Sequence, residues 1–120
     1  MEKRAIHQMR LFKVHFEKIE SGEKTVEMRL MDEKRRRLRV GDLITFTCEE
    51  EPHREVTVEV VGVRAFSDFS ELAACFGTRA VGFDGRDAAF VGAYMKGIYG
   101  DDALRTYGAA AIEVRLLPEK

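Results

Sequence analysis

At 120 residues the chain has room for one domain with a real hydrophobic core and not for two. An apolar share of 45% beside a charged share of 34% excludes a disordered tail, and no apolar run approaches the roughly 20 residues that span a bilayer. The net charge of −1 conceals a division: residues 1–40 carry 12 Lys and Arg against 7 Asp and Glu, and residues 41–120 carry 8 against 14. A basic half and an acidic half imply a polarised surface and admit a polyanionic partner. The N-terminal MEKRAIHQMRLF lacks the apolar segment of a signal peptide, so a cytoplasmic location is expected. Cys48 and Cys75 have no CxxC spacing and read as reduced, semi-buried thiols.

In chain order, His7 to Lys13 predicts a short strand, with Met9 and Leu11 alternating against polar neighbours. Phe16 and Ile19, three apart, then predict a short helix closed at Ser21-Gly22, where a helix C-terminus favours positive φ. Thr25 to Leu30 alternates, which puts Val26, Met28 and Leu30 on one face and Thr25, Glu27 and Arg29 on the other. Met31 to Leu38 is a short surface helix or turn, and Val40-Gly41-Asp42 turns into a strand over Leu43 to Cys48. Glu49 to Arg54 suits a hairpin loop leading to the longest strand, Glu55 to Phe66, in which Gly62 marks a bulge or bend. Asp68 with Glu71 resembles a capping box in front of the Phe69, Leu72, Ala73, Phe76 stripe. After a Gly-containing loop over Thr78 to Arg86, a second helix opens at Asp87, buries Val91, Tyr94, Met95 and Ile98, and stops at Gly100. Asp101 to Tyr107 adds a turn or two before a final strand around Ala110, Ile112, Val114 and Leu116. Strands joined by turns and interrupted by helices predict an α+β domain over residues 1–120, a small, curled, mostly antiparallel sheet with helices packed on it.

The stretch GEKTVEMR, residues 22–29, carries the polar chemistry. Lys24 stands at the turn, and Thr25, Glu27 and Arg29 share the polar face behind it. A lysine and a carboxylate three apart can pair, shift each other's pKa, and hold a polar ligand or move a proton. Arg29 offers a fork suited to phosphate or carboxylate. The plainer reading is a solvated face with a salt bridge of little worth. From Arg29 to Arg39 there are six basic residues and two acidic ones, and Lys34, Arg35, Arg36, Arg37 and Arg39 form a run able to meet phosphates. Such a run is also what a solvated helix face looks like.

These residues carry a resemblance. The pattern Met9-x-Leu11, Phe16-x-x-Ile19-x-Ser21-Gly22-x-Lys24-Thr25-x-Glu27-x-Arg29, Asp32-x-Lys34-Arg35 and Val40-Gly41-Asp42-x-Ile44-x-Phe46, with the ending Tyr107-Gly108 and Ile112-Glu113-Val114, resembles the ASCH domain family of the PUA-like superfamily. The likeness covers roughly residues 7–117 and fits the small stand-alone prokaryotic members. It implies a small β-barrel with peripheral helices, a cleft lined by the GEKTVEMR motif, and RNA or a modified nucleotide as partner. Some small ASCH proteins are amidohydrolases that deacetylate acetylcytidine with a lysine, a threonine three residues later and a distant glutamate. Lys24 matches the lysine, but Glu27 stands where the threonine is required, and Glu71 is the available distant carboxylate. Members with ribonuclease activity would assign Lys24 and Glu27 a part in phosphodiester transfer, although no histidine is placed to assist. Tyr99 or Tyr107 is expected near the site for base stacking.

His7, His15 and His53 lack HxH or HxxxH spacing, so no metal is expected. Gly82-Phe83-Asp84-Gly85 lacks the Lys-Ser/Thr of a phosphate loop, and no cofactor is implied.

Overall fold

The computed structural model describes residues 4–118. The chain runs β1 (Ile6–Leu11), α1 (Lys13–Ser21), β2 (Val26–Leu30), α2 (Glu33–Arg36), β3 (Leu43–Cys48), β4 (Glu55–Phe66), α3 (Phe69–Phe76), α4 (Ala88–Tyr99), α5 (Asp101–Tyr107) and β5 (Ala109–Leu116). All five strands join one mixed sheet in the order β1-β3-β4-β5-β2, parallel between β1 and β3 and antiparallel elsewhere. The sheet curls into a half-barrel whose edge strands, β1 and β2, face each other without a shared ladder.

Local chemistry sets these boundaries. Gly22 takes φ 85° and its N–H closes α1 on the Ile19 carbonyl, as its placement after Ser21 predicts. The carboxylates of Asp32, Asp68 and Asp87 accept the N–H three residues on and start α2, α3 and α4. The predicted capping box at Asp68 is therefore half present, because the Glu71 carboxylate accepts from the Ser67 hydroxyl instead of reaching back. Asp42, expected only as a turn residue, is buried and accepts from His7 Nε2 at 2.9 Å and from the N–H groups of Arg39 and Ala5. It ties the turn before β3 to the start of β1.

Two cores form on opposite sides of the sheet. Inside the curl lie Phe16, Ile19, Ile44, Phe46, Val58, Val60, Ile112 and Val114. Outside it, α3 and α4 pack on β2 and β5 through Val26, Met28, Phe69, Leu72, Val91, Ala109 and Ala111. β5 is covered on both faces over Ala109–Ile112, so its burial does not alternate as the final strand's pattern predicts. At Gly62 the β4–β5 register slips by one residue, leaving Val61 unpaired. The bulge exchanges the two faces of β4, so Val58 and Val60 point inward before it and Val63 after it.

Two packing expectations fail. On α4 only Val91 and Met95 are buried, whereas Tyr94 and Ile98 are 46% and 55% exposed. α3 packs on the opposite side of α4, at Gly92, and leaves Tyr94 and Ile98 on the side that faces Phe83 and the strand edges. The thiols are not alike either: Cys48 is fully buried at the end of β3 and Cys75 is exposed on α3.

Candidate functional site

The seam between the two unpaired edge strands is where polar side chains gather. β2 presents Glu27 and Arg29 to the interior side, opposite Ile112 and Ala110 of β5. Lys24 precedes the strand, where the N–H groups of Thr25 and Val26 both donate to the Ala80 carbonyl. Lys24 Nζ donates to Glu27 Oε1 at 2.8 Å, and Arg29 Nε donates to Glu27 Oε2 at 2.6 Å. The Lys24 and Glu27 side chains are 3% and 4% exposed, so this is an interior ion pair and not the solvated strand face that the bare pattern also allows.

Three groups complete the seam. Lys24 Nζ donates to His15 Nδ1 at 3.1 Å, which leaves the ring proton of a neutral His15 on Nε2. Arg29 also donates to the Arg10 carbonyl at 2.7 Å, and Lys34 Nζ to the Gln8 carbonyl at 2.8 Å. These two cations satisfy carbonyls of β1 that no neighbouring strand reaches, bridging the gap between the edges.

Arg10, His15, Lys24, Glu27 and Arg29 line a cleft of about 170 Å³, walled by Phe12, Phe83, Tyr94, Ile98 and Tyr99. Its charges are held in place. Burial would raise the Glu27 carboxyl, but Lys24 and Arg29 outweigh it and hold the group ionised, at about 2. Burial foremost, and then the Lys24 charge, lowers His15 to about 4, so the ring is neutral at pH 7. Burial also holds the Tyr99 phenol above its ordinary value, and Arg29 is raised because the ionised Glu27 outweighs the cost of its own burial. Two of the three Lys24 ammonium protons are engaged, and the third has no partner among the described residues.

The lowered His15 makes a pH prediction. A folded-state value near 4 against 6.5 unfolded means that acid favours the unfolded chain, so stability falls as pH drops from about 6.5 towards 4. Glu27, depressed to about 2, contributes stability that is present above 4.5 and is lost only below it. The interval from 6.5 to 4.5 therefore separates the contribution of His15 from that of Glu27, and His15 is faced there by Lys24, Glu27, Lys18 and Arg29. Because the ring is partly exposed, the expected loss is on the order of 1 kcal/mol, below the unscreened limit of about 1.4 per pH unit. Urea unfolding at pH 7, 6 and 5 should show it in the native chain and not in His15→Gln. Equal slopes for the two proteins would refute it.

Of the sequence-predicted residues, Lys24, Glu27 and Arg29 meet in the cleft, and Tyr99 joins them. Thr25 does not. It is exposed and lines a separate depression with Ile19, Gly22 and Leu116, because ladder pairing begins only at Val26. The basic run also divides. Lys34 and Arg35 line a second groove beside the cleft, with Arg10 and Arg29 common to both. Arg36 donates to the Met31 carbonyl, and Arg37 and Arg39 border a distant depression with Arg4. Glu71 lies on the outer groove of α3 and α4, remote from Lys24, and Tyr107 is exposed on α5 outside the cleft. His15, which has no ligand spacing in the sequence, sits against Lys24. Its only sequence signal was its place on the α1 face that also carries Lys18, whose Nζ donates to the Gly82 carbonyl. Among the described residues no three His, Cys, Asp or Glu side chains gather as a metal site requires, and no helix is long and apolar enough to cross a membrane.

No curated protein is similar enough in sequence to match the chain. Among solved structures, it is similar to the hypothetical protein PH0355, at 30% identity and a TM-score of 0.82 over 93% of this chain and 99% of that one. It is also similar to protein PF0455 from Pyrococcus furiosus, at 27% identity and a TM-score of 0.75 over 95% and 99% of the two chains. ASCH from Zymomonas mobilis shares the fold at 18% identity, with a TM-score of 0.65 over 94% of this chain and 68% of that one. The ASCH domain model matches residues 9–118, which takes in the second half of β1, all of β2 and every residue that lines the cleft between them, and the chain belongs to the ASCH domain family.

Proposed function

We propose that the cleft binds one nucleotide unit of RNA, or a modified nucleotide, with the base between the aromatic walls and the phosphate towards the basic groove. One observation carries this reading: a small cleft with aromatic walls has a fixed Lys24–Glu27–Arg29 floor and opens through Arg10 and Arg29 onto Lys34 and Arg35. Glu27 and the third Lys24 proton supply an acceptor and a donor for a base edge. The groove crowds like charges, and Lys34 is held below its ordinary value by loss of water and by Arg35 and Arg29. An arriving phosphate relieves that repulsion.

The test is salt dependence. Binding of labelled single-stranded RNA, followed by fluorescence anisotropy between 50 and 200 mM salt, should weaken steeply with salt (about tenfold or more). Arg10→Ala with Lys34→Ala should flatten the slope of log K against log salt by about two, roughly one per phosphate contact. Arg37→Ala with Arg39→Ala should leave it unchanged, since those residues border another depression. Equal slopes for all three proteins would exclude the groove as the phosphate path.

A hydrolase acting on an acylated nucleoside or on RNA is the second reading, and the 3.1 Å contact between Lys24 and His15 favours it by pairing an amine with a neutral imidazole. Against it, Glu27 engages the Lys24 amine at 2.8 Å and occupies the position where the family's amidohydrolases carry threonine. Deacetylation of acetylcytidine that is abolished by Lys24→Ala, in a variant that still melts cooperatively, would establish this reading over plain binding.

A further inference from the structure

The aromatic wall of the cleft does not stop at its mouth. Phe83 sits 5.3 Å from the His15 ring at the floor and 5.2 Å from Tyr94 on the wall. Tyr94 in turn stacks on Phe90, one turn earlier on α4, with centroids 6.2 Å apart and planes inclined by 24°. The row ends at Arg86, whose guanidinium lies 4.4 Å above the Phe90 ring. Phe90, Tyr94 and Ile98 follow one another at four-residue spacing and are 38%, 46% and 55% exposed. A helix of a folded domain normally turns such a stripe inward. Here the buried positions of α4 are Val91 and Met95, so the stripe is a second apolar face left open to solvent.

We propose that this aromatic row is a second base-stacking subsite, which holds the nucleotide next to the one in the cleft, so that the ligand is a single strand of two or more nucleotides. The inference rests on the nucleotide-binding reading of the cleft and extends it. Three features identify the occupant. The row is continuous with the cleft, since Phe83 and Tyr94 belong to both. It is cationic at its outer end, where Arg86 makes no ion pair with any described residue and is free to meet a backbone phosphate. It is also narrow: a few side chains fall far short of the roughly 20 to 30 residues per side that a protein partner of ordinary size covers. Stacked rings with a guanidinium above them suit unpaired bases, which expose π faces that a duplex keeps covered.

The test compares ligand length. The probes are the four nucleoside 5′-monophosphates and fluorescein-labelled single-stranded RNA hexamers of mixed sequence, titrated into the full chain by calorimetry and anisotropy. The hexamers should bind the native protein about tenfold or more tightly than any monophosphate, the order expected for one additional stacked base. Phe90→Ala should abolish that advantage while leaving monophosphate affinity unchanged, because Phe90 lies outside the cleft. Phe90→Tyr, which keeps a π face, should retain it, and Arg86→Gln should lower hexamer affinity alone. Unaltered melting of Phe90→Ala secures the comparison, and Arg86→Gln, which removes an exposed side chain whose only contact of note is with the Phe90 ring, gives the same answer if Phe90→Ala unfolds. Monophosphates and hexamers that bind equally well would overturn the second subsite and leave the cleft reading standing, whereas no binding of either would overturn both. Concentration-dependent dimerisation that Phe90→Ala abolishes would assign the row to a second copy of the chain and overturn the proposal.

Discussion

Replacing Glu27 by glutamine is expected to cost about 3–5 kcal/mol of folding stability, the range seen when one partner of a buried ion pair is removed. Among the described residues the carboxylate is the sole anion between Lys24 at 2.8 Å and Arg29 at 2.6 Å, and both it and Lys24 are almost wholly buried. A neutral amide leaves two cations facing each other in a medium where charge repulsion is poorly screened. Lys24→Met should cost distinctly less, since Arg29 still neutralises Glu27 and the methionine fills the same space. For a domain whose total stability is on the order of 5–15 kcal/mol, the Glu27→Gln loss should lower the melting temperature by more than 10 °C. Urea unfolding of the three proteins at pH 7 measures it. A loss below 1 kcal/mol for Glu27→Gln, or an equal loss for both variants, would mean that the pair is solvated and that the cleft has no fixed charge.

Gly82→Ala is the second large effect, and it acts on the cleft from behind. Gly82 has φ +95°, a conformation costing an L-residue about 1–2 kcal/mol. A Cβ there would stand 2.8 Å from Lys24 Cδ and 2.9 Å from His15 Nδ1, so both side chains would have to move. The Gly82 carbonyl also accepts from Lys18 Nζ at 2.9 Å, which limits how far the loop can yield. The expected result is a loss of about 2–3 kcal/mol, together with at least a tenfold loss of ligand affinity as Lys24 leaves its place. Gly85→Ala is the matched control. It shares a positive φ but meets nothing within 4 Å, so it should lower stability by the backbone strain alone and leave affinity intact. If the two variants bound ligand equally well, Gly82 would have no role in shaping the cleft.

The role of Gly82 shows where sequence reasoning stopped. The loop Gly82-Phe83-Asp84-Gly85 lacks the phosphate-loop pattern, yet it supplies the back and one wall of the cleft. Nothing local marks such a part. Gly82 lies 58 residues from Lys24 in the chain, and only the packing of the loop against α1 and the start of β2 brings them together. His15 was missed for the same reason, because a lone histidine has no spacing to reveal a partner nine residues away on another element. Periodicity places Tyr94 and Ile98 in the core because it gives the apolar positions of a helix but not how much of its circumference a neighbour covers.

By itself the sequence determined the identity and order of nearly every element, from the Gly22 helix stop and the Asp68 and Asp87 caps to the Gly62 bulge. Each depends on interactions within a few residues, so each is written in local residue type and period. It also determined that Lys24, Glu27 and Arg29 stand together, since two of them share a strand face and the third is only three positions away. Tertiary structure decided the rest. It curled the sheet so that β1 and β2 face each other unpaired, buried the Lys24–Glu27 pair that the pattern also allowed to be solvated, and set His15, Phe83 and Tyr99 around it. It divided the basic run, with Lys34 and Arg35 beside the cleft and Arg37 and Arg39 away from it. Burial and long-range approach set those outcomes, and both are properties of the closed fold and not of any window of sequence.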